Sequence, residues 1–128
     1  MPNDDEIRFK VWEKAFRVEG FDSDKYRKDP CGAWIIFDEY ANTDSIYGWE
    51  IDHIYPQSLL EEKKIALEKI DNISNLRAMQ WENNKAKGNT YPIYQSVVSS
   101  EDNKNVYREK SFTVNAEIQD ALHKLYQL

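Results

Sequence analysis

Asp52 and His53 stand side by side in the run GWEIDHIYPQS, and Asn84 and Lys87 lie one helical turn apart in ENNKAKG. An aspartate and a side-chain amide are hard oxygen donors, which suit magnesium or manganese with room left for water. A neutral imidazole beside such an ion suits removal of a proton from water. An ammonium group suits a phosphate oxygen. Gathered around one point, these groups fit phosphodiester hydrolysis with one metal better than any other reaction these residues could perform. An Asp-His neighbour pair is common by chance, so the elements carrying the two decide whether they work together or merely adjoin.

In GWEIDH the apolar Trp49 and Ile51 alternate with the acidic Glu50 and Asp52, the period of a half-buried strand. Alternation sends Asp52 and His53 to opposite faces. A shared site therefore needs the strand to end or twist at this pair, and Pro56 favours an ending. After the turn DNIS, NLRAMQW reads as a second strand, and ENNKAKGN as a helix stopped by Gly88. A helix laid across the strand pair would bring Asn84 toward the Asp52 end of the first strand. The connection SLLEEKKIALEKI, Ser58 to Ile70, suits one or two helical turns or an ordered loop.

Outside this centre, Asp5 to about Val18 places Ile7, Val11, Trp12, Ala15 and Phe16 at helical spacing. The turn-rich GFDSDKYRKDPCG leads into the short strand AWII, and Glu39 to Tyr47 is loop-like. Beyond Pro92, IYQSVV and NVYRE are strand candidates around the polar turn SSEDNKN. A final helix opens at Asn115, with Ile118, Ala121, Leu122 and Leu125 as its apolar stripe. With no internal repeat and no composition break, the reading is one α+β domain over residues 1–128.

Hydrophobic residues make up 41% of the chain and charged ones 31%, a globular rather than a disordered composition. Cys31 is the lone cysteine, which excludes an internal disulfide and a zinc site built from paired CxxC motifs. No run is long enough to cross a membrane, and MPNDDEIRFK is too acidic for a signal peptide, so a cytoplasmic setting without membrane contact is expected. The net charge of −6 argues against broad coating of nucleic acid. An enzyme with a local basic groove, or with a divalent ion supplying positive charge, is compatible with it.

The segments GWEIDHIYPQS and DNISNLRAMQWENNKAKGN together resemble the HNH endonuclease family, in particular its small stand-alone bacterial and phage members. The resemblance implies a ββα-metal (His-Me finger) core over residues 48–89, flanked by the N-terminal helix, a further β-hairpin and the C-terminal helix. It implies that His53 is the general base, that Asp52 and Asn84 hold Mg²⁺ or Mn²⁺, and that Asn75 pins the connecting loop so the histidine is oriented. It gives Lys87 motif support as a phosphate contact. The implied substrate is DNA, held by its backbone with little sequence preference, since no base-reading module is evident. Two features differ from many relatives: paired CxxC zinc ligands are lacking, so no structural zinc is expected, and the connection after the histidine is longer and glycine-free. A catalytically silent HNH-shaped module for nucleic-acid binding or protein interaction is the competing reading. A third possibility is a toxin-like nuclease neutralised by a partner.

Other residues invite plainer readings. Glu50 shares the Asp52 face and could support the metal, join it, or simply be solvated. Arg77 and Lys85 are further candidates for phosphate contact, and Asn72 for a turn. His123 suits a surface or interface position. Cys31 and the four tryptophans suit the core.

Overall fold

The computed structural model describes residues 4–128. Among them, five α-helices and three two-stranded antiparallel sheets form an α+β fold. Helix α1 (Asp4–Lys14) opens with Asp4, Asp5 and Glu6, whose charge complements the N-terminal end of the helix dipole, and it buries Val11 and Trp12. It ends well short of Val18. Phe16 leaves the helix to bridge Lys28, with Phe16 N donating to Lys28 O at 3.0 Å and Lys28 N to Phe16 O at 2.9 Å. Lys28 lies on strand β1 (Tyr26–Lys28), which pairs with β2 (Trp34–Ile36). β1 thus sits inside the segment read from the sequence as turn-rich.

The Asp29 carboxylate organises the turn between these strands. It accepts from Cys31 N and Ala33 N through Oδ1, and from Gln80 N and Asn83 Nδ2 through Oδ2. Burial pushes its pKa up, and these donors oppose the push. One buried acid therefore joins the β1–β2 turn to the centre of the molecule.

That centre is β3 (Trp49–His53) paired with β4 (Leu76–Gln80), with Trp49 opposite Gln80 and His53 opposite Leu76. Helix α4 (Trp81–Lys87) follows β4 without a break, capped by Gln80, whose side chain accepts from Asn83 N at 2.9 Å. Between the strands run α2 (Gln57–Glu62), α3 (Leu67–Ile70) and a 3-10 turn at Ile73–Asn75. Every residue of β4 is buried, so its sequence shows no alternation. Trp12, Ile35, Trp49 and Leu76 pack in one apolar cluster. Leu60, Ile70, Met79 and Leu122 pack in another. Each such side chain contributes about 1.5–3 kcal/mol by leaving water.

The longest hairpin joins β5 (Ile93–Glu101) to β6 (Lys104–Thr113), so most of SSEDNKN is strand rather than turn. A bulge between Ser96 and Val98 turns two amides toward Asn83, whose Oδ1 accepts from Val97 N and Val98 N at 2.8 Å each. Helix α5 (Ala116–Tyr126) begins at Asn115, which accepts from Ile118 N at 2.9 Å. Leu122 and Tyr126 are its buried residues, while Ala121 is exposed. Tyr126 donates its hydroxyl to Lys69 O at 2.7 Å, tying α5 to α3.

Candidate functional site

The strand β3 ends at His53, and an open cleft of about 300 Å³ lies beside that end, lined in part by Asp52, His53, Gln57, Asn84 and Asn89. Although Asp52 and His53 alternate along the strand, both reach this cleft. The Asp52 carboxylate is clamped by two cations. Arg77, directly across the sheet, donates Nε to Oδ2 at 3.0 Å, and the Lys87 ammonium lies 3.2 Å from Oδ1. Lys87 also donates to the backbone oxygen of His53 at 3.0 Å. Its side chain is wholly buried. Lys87 thus faces inward and braces the end of β3, whereas its motif position suggested a phosphate contact.

Asn84 donates Nδ2 to Glu50 Oε1 at 3.1 Å, which leaves its carbonyl oxygen as the donor it can offer a cation. Glu50 is therefore the direct neighbour of Asn84 and lies on the same strand face as Asp52. The adjacent Asn83 does structural work on β5, so two neighbouring asparagines divide between packing and cleft.

Asn75 is fully buried. It accepts from Tyr55 N at 2.7 Å and donates to Tyr55 O at 3.1 Å and Ile70 O at 3.2 Å, while its own backbone oxygen accepts from Ile54 N at 2.8 Å. These bonds fasten the segment after His53 to the end of α3. The His53 ring is fixed from the other side: Nε2 lies 2.7 Å from Asp71 Oδ1. Asp71 was not legible in the sequence, because no motif or period marks it. It follows α3 directly and reaches His53 only because α2 and α3 fold the connection back.

The Asp52 carboxylate faces both Arg77 and Lys87, and the Arg77 guanidinium also lies 5.0 Å over the Tyr94 ring. Burial lowers the Lys87 pKa, Asp52 opposes that, and Arg77 adds to it. Lys85 is exposed, and His123 is half-buried with Nε2 3.3 Å from the Tyr91 hydroxyl, away from the cleft. Trp12, Trp34 and Trp49 are buried, as is Cys31, whose thiol burial pushes up to about 12.

The residues present can be tested against a divalent ion by their chemistry. Among the described residues, no group of three or more His, Cys, Asp and Glu side chains could hold a metal. An ion at this cleft would rest on Asp52 and Asn84 with water and substrate completing the shell. That oxygen-only set fits magnesium or manganese and lacks the softer ligands zinc prefers. Each Asp52 oxygen accepts one bond and retains a second lone pair, so the carboxylate can share an ion with its two cations.

The family model for the C-terminal domain of GmrSD restriction endonucleases matches residues 1–125. No curated protein and no solved structure matches the chain.

Proposed function

The chain belongs to the family of GmrSD restriction endonuclease C-terminal domains, and on that premise we propose that it is a metal-dependent DNA endonuclease of the HNH type. The observation carrying this reading is the cleft at the end of β3, where Asp52, His53 and Asn84 meet. β3, β4 and α4 are taken as the ββα-metal core. In this reading Asp52 and Asn84 would hold Mg²⁺ or Mn²⁺, which would supply positive charge to offset the negative charge of the scissile phosphate.

The rest falls to the protein. His53 takes a proton from water, and the water oxygen attacks phosphorus opposite the 3′ oxygen, leaving 5′-phosphate and 3′-hydroxyl ends. Asn75 keeps the backbone after His53 in place through its bonds to Tyr55. Lys87 and Arg77 hold Asp52 against rotation. The substrate is DNA because the family takes its name from restriction endonucleases, and contacts of this kind reach backbone rather than bases.

Supercoiled plasmid is the direct substrate to try. Nicking with Mg²⁺ or Mn²⁺, abolished by EDTA and leaving 5′-phosphate ends, is the expected outcome. Cleavage undiminished by EDTA would overturn the metal-dependent reading. Metal binding with no cleavage of plasmid, single-stranded DNA or RNA would favour the silent binding module instead.

A further inference from the structure

We infer that Asp71 is a positioning residue for His53, fixing the imidazole in the tautomer that can take a proton from water; this rests on the reading of His53 as general base. The His53 Nε2 to Asp71 Oδ1 distance is 2.7 Å, the short range of a charge-assisted bond. A carboxylate can only accept, so the ring nitrogen facing it carries the hydrogen. Nδ1 then keeps its lone pair, and a lone pair is what a base needs.

The pair is built rather than accidental. Asp71 N donates to Leu67 O at 2.9 Å, so the acid sits on the last turn of α3. That short helix is pinned on three sides. Ile70 is buried in the core, Tyr126 holds Lys69 O at 2.7 Å, and Asn75 holds Ile70 O at 3.2 Å. On the histidine side, Lys87 holds the backbone oxygen at 3.0 Å. Both side chains are largely screened from solvent, His53 at 21% and Asp71 at 15% exposure, so water competes weakly for the bond. The long glycine-free connection therefore has a task, which is to deliver this acid to the ring.

During turnover the proton leaves water for Nδ1, and hydroxide oxygen forms the new bond to phosphorus as the bond to the 3′ oxygen breaks. The imidazolium then carries hydrogen on both nitrogens, with Asp71 facing the charge, and releases the Nδ1 proton to solvent. The 3′ oxygen is protonated by water.

The test compares wild type with Asp71→Ala, the near-isosteric Asp71→Asn, and His53→Ala. It reads single-turnover cleavage, DNA affinity in EDTA, and ¹⁵N resonances of the His53 ring in the uncut protein. For a histidine that ligates a metal, loss of the carboxylate that orients it costs about 10–100-fold, and a similar loss is taken for this base. Asp71→Ala is expected to slow cleavage by about that factor with DNA affinity unchanged. The ring resonances should move from one tautomer toward an average of two. A wild-type rate with an unchanged tautomer in both Asp71 variants, alongside a dead His53→Ala, would overturn the positioning role alone. A His53→Ala protein cutting at full rate would instead remove the base assignment on which the role rests.

Discussion

Asn75 shows how a single buried amide can matter without touching a reacting atom. It is fully buried, and its side chain bonds both backbone groups of Tyr55 and the carbonyl of Ile70. Truncation would remove the partner of Tyr55 N and Tyr55 O, both part-buried, and a buried group left unpaired costs about 1–3 kcal/mol. Asn75→Ala is therefore expected to lose about 2–3 kcal/mol in urea unfolding, with slower cleavage, because Tyr55 lies just beyond His53. An unchanged unfolding midpoint would contradict this account of the loop. At this scale the sequence was informative where groups are local. Asp52, His53, Asn75 and Asn84 stand in contiguous motifs, and the cleft gathers three of them. Their surroundings were less accessible. Arg77 reaches Asp52 through cross-strand register, Lys87 turns inward because of helix packing, and Asp71 arrives through a folded connection. None of these relations is encoded in linear spacing.

Among the elements, the entry to β3 is the most tightly drawn. Gly48 donates to Ser45 O at 3.0 Å and accepts from Trp81 N at 3.1 Å, so it links the preceding loop to the start of α4. A Cβ built there would lie 1.9 Å from the backbone oxygen of Asn42. Backbone cannot yield as a flexible side chain does, so Gly48→Ala must displace either the loop or the strand. Overpacking of this kind costs about 1–3 kcal/mol. We expect about 2 kcal/mol, read as a fall in Tm of roughly 6–10 °C. A melting temperature equal to wild type would mean that the loop moves freely. The strands around the centre were legible because β3 alternates and because turn residues bracket β4. The end of α1 was not, since Phe16 keeps helical spacing in the sequence yet pairs with Lys28 in space. The strand β1 was hidden for the same reason: three residues among turn formers carry no period of their own.

Across the whole molecule, a chain of net charge −6 concentrates two buried cations on the carboxylate at the edge of one cleft. Overall charge is thus a poor guide to the local field, which the placement of individual charges sets. The family match spans residues 1–125 and so reaches well beyond the motif region 48–89. The flanks have visible structural reasons to belong to the unit: α5 pins α3, the β5–β6 hairpin grips α4 through Asn83, and the turn after β1 holds β4 through Asp29. The sequence could place these flanking elements roughly. It could not show that they brace the cleft, because the bonds cross from one end of the chain to the other.

If His53 activates water in this cleft, the rate of plasmid nicking in Mg²⁺ must differ between wild type and a folded His53→Ala protein. Removing a general base typically costs about 10²–10⁴-fold, and a loss of that size is predicted. Equal rates for the two proteins would show that His53 is not the base.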